Sequence, residues 1–370
     1  MKKFLFVLLS LCSCQAVDRR PNSQGDYYPL VLGHRGACGY KPEHTEASYL
    51  TAVEMGVDFV EPDLVVTKDG EIILRHEYQI GETTNISEIY KSRKNSYVVD
   101  GEKIDDWFVN DFTLKELRKV RAVERLPYRT KEFDGEYPLM TFEEFIQLIQ
   151  RQEKKIGKKI GIVPEIKHST FTKSLKLPIK CGKEKRTCSF EDKVLDILHK
   201  YGYDQEGASP VIIQSFEIEN LKYIRNSFKG HSRYKLLQLI DEPQMKFADE
   251  VAAKRSTTFR DVITPEGMKK IAEYADYVGL WKWYIQPFEV REKKIFLAEP
   301  TPQPLQWAHE AGLGVVVYTF RSDKENVAPK YKDKYSEYYQ YFDLRVDGVF
   351  TDFAADGVEA RKMFLQSNGL

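Results

Sequence analysis

Short β-branched runs alternate with helical patterns from Leu30 almost to the end of the chain, and that rhythm confines the fold to parallel α/β architecture. Eight runs read as strands: Leu30 to Gly33, Phe59 to Val66, Ile160 to Lys167, Val211 to Phe216, Lys235 to Ile240, Tyr277 to Leu280, Val315 to Phe320 and Val349 to Asp352. Helical patterns fall between most of them, at Thr45 to Glu54, Phe142 to Glu153, Glu191 to Lys200, Glu219 to Asn226, Pro265 to Tyr274, Gln303 to Glu310 and near Asp356 to Phe364. Eight such strands predict a (β/α)8 TIM barrel over residues 27–366. Two stretches break the alternation. Residues 79–137 read as a small inserted subdomain after strand two, and 323–340, rich in Lys and Tyr, as an elaborated loop after strand seven. No dinucleotide fingerprint or Lys-Ser/Thr phosphate loop follows the first strand.

The N-terminus carries Lys2 and Lys3, an apolar run from Phe4 to Leu11, then Cys12-Ser13-Cys14. That run is too short to span a bilayer and reads as the core of a secretory signal. Its end resembles a bacterial lipobox, so cleavage before Cys14 and lipidation of Cys14 are expected, with 15–26 as a tether; an ordinary secretory signal cut nearby is the alternative. Cys38, Cys181 and Cys188 remain in the mature chain, an odd number. Cys181 and Cys188 lie close enough for a local disulfide, which the sequence leaves open. With 56 basic and 56 acidic residues the formal charge is zero. No global field suits nucleic acid, and a nucleic-acid partner is not expected.

In a barrel of this kind the chemistry sits at the C-terminal ends of the strands. Glu61 and Asp63, two apart on one strand, point to one face, and Glu165 arrives from the neighbouring strand. Three carboxylates there are costly unless they are protonated, paired or bound to a cation. As an all-oxygen set they suit Ca2+ or Mg2+ rather than zinc. Arg35 and Lys167 add positive charge beside that cluster and suit an anionic phosphodiester. His34 and His76, at neighbouring strand ends, supply groups that exchange protons near neutral pH. The other histidines, His44, His168, His199, His231 and His309, lack comparable settings; capping or support of the site is the expected work of His44. Gln214, Ser215 and Phe216 at the end of strand four, and Trp281 after strand six, fall at the same mouth and could shape a pocket.

These residues carry a resemblance. His34-Arg35-Gly36-Ala37-Cys38-Gly39-Tyr40 with Pro42-Glu43-His44-Thr45, then Glu61-Pro62-Asp63 with Thr67-Lys68-Asp69-Gly70, His76 and Pro164-Glu165-Ile166-Lys167 resemble the ordered signature of the glycerophosphodiester phosphodiesterases, most closely their exported bacterial branch. The resemblance implies a metal site of Glu61, Asp63 and Glu165, usually for calcium, phosphate contacts from Arg35 and Lys167, and acid–base work by His34 and His76. It implies release of sn-glycerol 3-phosphate from deacylated phospholipids such as glycerophosphocholine, through a cyclic phosphate that water opens. It further implies a periplasmic or membrane-anchored location, with the membrane reached only through the lipid anchor. Cys38 departs from the small hydroxyl or aliphatic residue more familiar there. Rival readings are a phospholipase C or D on intact lipid, which needs an apolar docking loop where the candidate loops read as polar; a surface binding protein on the same fold; and a glycosidase barrel. Neither head-group preference nor oligomeric state can be read from the residues.

Overall fold

The computed structural model describes residues 27–227, 233–291 and 294–370. The expected signal at 1–14, the tether at 15–26, Cys14 and His231 lie outside the described residues.

Eight parallel strands form the centre: β1 (Leu30–His34), β2 (Phe59–Glu61 continued by Asp63–Val66), β3 (Gly161–Ile162 continued by Glu165–Ile166), β4 (Ile212–Ser215), β5 (Lys235–Ile240), β6 (Tyr277–Trp281), β7 (Gly314–Phe320) and β8 (Gly348–Thr351). β1 pairs with both β2 and β8, and the ladder runs on through β3 to β7. β2 and β3 are each interrupted at a proline, Pro62 and Pro164, which has no N–H to give to a ladder. The register nevertheless carries across both breaks, from Phe59↔Gly161 to Asp63↔Glu165. The sheet therefore closes on itself as a (β/α)8 barrel.

Each strand is followed by a helix: α1 (Glu46–Glu54), α2 (Phe142–Ile156), α3 (Phe190–Lys200), α4 (Ile218–Ser227), α5 (Pro265–Ala272), α6 (Gln303–Glu310), α7 (Ser336–Asp343) and α8 (Ala354–Ser367). Local chemistry sets their starts. Thr45, Thr141, Ser189 and Thr264 cap α1, α2, α3 and α5 through their hydroxyls, and α2 and α3 carry full capping boxes. α2 ends where Gly157 takes a left-handed conformation, φ 68°. α7 corrects the expectation of a loop over 323–340. Tyr338, Tyr341 and Phe342 recur at helical spacing and are fully buried against the barrel, a stripe obscured in the sequence by the Lys and Tyr around it.

The core has three parts. The largest lies between strands and helices and includes Phe145, Ile149, Val194, Leu280 and Tyr341; a smaller one, with Leu32, Val163, Leu237 and Val316, fills the barrel interior. The third belongs to the excursion between β2 and α2. There Ile72–Leu74 returns antiparallel on β2, followed by short helices and the hairpin Asn95–Val99/Glu102–Asp106. Tyr78, Ile80, Phe108, Phe112 and Val120 pack there against Val65 and Phe171. Between β3 and α3, Cys181 and Cys188 form a disulfide across a short hairpin, while Cys38 is free and buried. No described helix is long and apolar enough to cross a membrane.

Candidate active site

Barrel register assembles the site. His34 stands opposite Glu61, Asp63 opposite Glu165, and Glu165 opposite Gln214, all near the C-terminal ends of β1 to β4. Glu61, Asp63 and Glu165 are at most 5% exposed, and ligand oxygens from the three lie within 4.8 Å of one another. Asp63 Oδ1 is buried without a hydrogen-bond donor, and Glu165 Oε1 meets the Lys167 ammonium at 2.9 Å. Three buried carboxylates this close, with one oxygen lacking any donor, are what a hard divalent cation resolves, so these residues fit one. Their protonation reflects the crowding. Burial raises Glu61 well above the usual carboxylate range, helped by Asp63 and Glu165. Burial also pushes Glu165 up to about 8, against the pull of Lys167. Asp63 is held low: His76, His44 and Lys167 together outweigh its burial.

The turn after β1 wraps this cluster. Arg35 and His44 both sit at positive φ, 54° and 58°, a cost that side chains accept where the surroundings enforce it. Gly36 follows at φ 89°, where an added Cβ would come 2.5 Å from Ser48 Oγ. The turn aims the Arg35 backbone N–H at Glu61 Oε2, 2.7 Å away, while its guanidinium meets Glu43 Oε2 at 2.7 Å and lies 3.5 Å from Asp63 Oδ2. His44 is buried behind the cluster, with Nε2 2.9 Å from Asp63 Oδ2 and Nδ1 2.8 Å from the Tyr49 hydroxyl. Thr45, not His44, caps α1. Lys167 Nζ lies 2.9 Å from Glu165 Oε1 and 3.4 Å from His76 Nε2.

Two imidazoles face the same cavity, each with Nδ1 held by a carboxylate. His34 Nδ1 is 2.6 Å from Asp352 Oδ1, and His76 Nδ1 is 2.8 Å from Glu77 Oε1. Burial, with Arg35 next in weight, lowers the His34 pKa; burial, then Arg35 and Lys167, brings His76 down to about 4. Both are therefore neutral near pH 7, with Nε2 left as the second nitrogen for proton exchange.

Among the other residues singled out in the sequence, Gln214 donates to Glu61 Oε1 at 3.2 Å. Ser215, Phe216 and Trp281 line the cavity; the Ser215 hydroxyl is engaged by the Ile166 carbonyl, the Glu217 N–H and Asn220. Asp352 was legible only as a strand end. Its other oxygen meets Arg129 Nη2 at 2.5 Å, and Arg321 Nε approaches at 3.2 Å. Glu43 and Glu77 were likewise missed, since a lone acid next to His is common. His168, read as unremarkable, bridges Glu77 Oε2 at 2.7 Å and Asp100 Oδ2 at 2.6 Å.

A (β/α)8 barrel with clustered carboxylates, paired cations and two oriented imidazoles at its strand ends defines a hydrolase of anionic esters. A model of the glycerophosphoryl diester phosphodiesterase family matches residues 34–356. A glycerophosphodiester phosphodiesterase of Arabidopsis thaliana is 32% identical over 88% of this chain and 84% of its own. One from Haemophilus influenzae is 30% identical over 96% and 95%, and one from Treponema pallidum 30% identical over 89% and 91%. A phosphodiesterase from Oleispira antarctica, solved in complex with the product sn-glycerol-3-phosphate, has the same fold at a TM-score of 0.58 and 15% identity, covering 91% of this chain and 98% of that one. The chain belongs to the glycerophosphoryl diester phosphodiesterase family and is a phosphodiesterase of that kind.

Proposed function

We propose that this enzyme hydrolyses glycerophosphodiesters, such as glycerophosphocholine, glycerophosphoethanolamine and glycerophosphoglycerol, to sn-glycerol 3-phosphate and an alcohol. The observation that carries this reading is the row of register partners, His34–Glu61 and Asp63–Glu165, which sets the acidic cluster beside two carboxylate-held imidazoles on one cavity wall. Glu61, Asp63 and Glu165 would hold a divalent cation, Ca2+ ahead of Mg2+, which when bound supplies positive charge to the phosphoryl oxygens. Arg35 and Lys167 bind the same group, Arg35 through its planar fork and Lys167 as a point charge. His34 and His76 share the proton transfers, one taking the proton of the attacking hydroxyl and the other giving one to the departing alcohol. Gln214 keeps Glu61 oriented, while Phe216 and Trp281 bound the pocket for the alcohol. The residues 79–137 bear on the mouth through Asp100 and Glu102.

Export and lipidation at Cys14, giving a periplasmic or membrane-anchored protein, belong to the same proposal. Its support is the short apolar run ending in Leu11-Cys12-Ser13-Cys14. The test is release of sn-glycerol 3-phosphate from glycerophosphocholine by protein starting at residue 15, with calcium, with a chelator and as His34→Ala. Metal-dependent release that vanishes in the variant is expected. Absence of product from every glycerophosphodiester under every metal condition would refute the reading.

A further inference from the structure

α2 runs to the end of the barrel opposite the site, and there the chain reads Lys154-Lys155-Ile156-Gly157-Lys158-Lys159, all exposed. Ile156, in the midst of the lysines, is 46% exposed. Lys154 and Lys155 complement the negative end of the helix dipole, but Lys158 and Lys159 follow the left-handed Gly157 and have no such role. The neighbouring acid is turned away: Glu153 accepts from the Ile160 N–H at 2.8 Å and from the Ser209 hydroxyl. Elsewhere on this end basic groups are matched, as where Arg225 and Lys235 share Asp276. Among the described residues none of the four lysines meets a carboxylate. The chain enters the barrel beside them. Tyr27, the first described residue, donates its hydroxyl to the Val346 carbonyl and has the Arg345 guanidinium over its ring at 4.5 Å. Asp58 ties the start of β1 to that of β3, its carboxylate accepting from the Val31 N–H and its carbonyl from the Gly161 N–H, each at 2.9 Å. With β2 between them, the two strand starts are about 10 Å apart.

Unmatched positive charge around an exposed apolar side chain suits an anionic lipid surface, which the lysines attract and the isoleucine enters. We infer that this end of the barrel docks on the anionic bilayer carrying the protein's own anchor, through Lys154, Lys155, Ile156, Lys158 and Lys159, and that the mouth faces away from the membrane. The inference rests on the lipid anchor at Cys14 proposed above. Residues 15–26 limit the distance to the bilayer to about 40 Å and leave open which face meets it; the patch decides that. Each lysine brought to an anionic surface favours the docked state by about fivefold, so four together hold one face down. The opposite orientation has its own candidate. The hairpin Phe288–Arg291/Lys294–Leu297, in a loop that reads as polar in the sequence, leaves Val290 62% exposed at the mouth. Its neighbours Glu289 and Arg291 pair with each other, unlike the lysines of the patch. With the mouth turned outward, substrate arrives from water, as glycerophosphodiesters without acyl chains do.

The test uses the full chain purified from membranes, its acylation checked by intact mass, on vesicles of phosphatidylcholine with and without phosphatidylglycerol. A fluorophore is attached at Ile156→Cys or, separately, at Val290→Cys, and its quenching by a lipid-borne quencher is read. Cys38 is buried and Cys181 and Cys188 are bonded to each other, so the label goes to the new thiol. Quenching at position 156 is expected on the anionic vesicles alone and is lost in high salt. It is lost again in Lys158→Glu/Lys159→Glu, with circular dichroism unchanged. No quenching at 156 on anionic vesicles, equal quenching on neutral ones, or quenching at 290 in its place overturns the inference. A chain without the acyl mass is a separate result, which removes the anchor. Flotation of that chain with the same vesicles then decides the docking: binding to anionic vesicles that the double variant abolishes supports it, and no binding overturns it.

Discussion

The two imidazoles of the site are held by the same kind of bond in unlike surroundings. His34 belongs to the barrel, and its partner Asp352, at the end of β8, is 2% exposed and clamped by Arg129 and Arg321. His76 stands at the root of the excursion between β2 and α2, and its partner Glu77 is 32% exposed and shared with His168. A buried carboxylate with two arginines cannot turn away or take up a proton; its pKa lies well below the ordinary range because His34 and both arginines outweigh its burial. A half-exposed carboxylate is screened by water and has alternatives. The barrel thus fixes one proton-exchanging group rigidly, while the second depends on how the excursion is seated.

That contrast can be broken by substitution. His34→Ala is expected to lower kcat by about 10³-fold, as loss of a positioned acid–base group does, with folding intact by circular dichroism. Asp352→Asn comes next, at roughly 10- to 100-fold in kcat, since it removes a buried charge-assisted bond; it should also shift the pH profile while KM stays nearly constant. Glu77→Gln should cost no more than about fivefold, the worth of a partly exposed pair. Should Glu77→Gln prove as damaging as Asp352→Asn, the distinction between a rigid and a loosely seated histidine is wrong.

The smallest effect is on stability. Glu77 and Asp100 outweigh burial to raise His168 to about 10 from an ordinary value near 6.5, so the folded state binds its proton more tightly. Its contribution is fully present below about pH 6.5 and is lost as pH rises through about 10. His168→Gln should therefore lower Tm most at pH 6 and least near pH 10. A Tm deficit independent of pH would show that the bridge from β3 to the excursion carries no charge.

Much of the site was legible because its parts follow the two-residue period of strands. Glu61 with Asp63, and Glu165 with Lys167, announce a common face without any knowledge of the barrel. Asp352 could not be found that way: its partner His34 is 318 residues distant and meets it only when β8 closes on β1. Arg129 meets Asp352 from the excursion, 223 positions away, and no local signal links them. α7 was hidden by composition, its buried Tyr338, Tyr341 and Phe342 set among Lys and Tyr residues. In each case the missing information was which side chains share a face after closure.

Pro62 and Pro164 have a consequence for transplanting the site. Each is flanked by or adjoins a cluster carboxylate, and each fixes its own φ near −65° without help from side-chain packing. The spacing of the acidic cluster is thus written largely into two neighbouring stretches of main chain, Glu61-Pro62-Asp63 and Pro164-Glu165. A protein engineer moving this cation site into another eight-stranded cylinder would need to carry those two tracts and their register. The loops that clothe them here could be left behind.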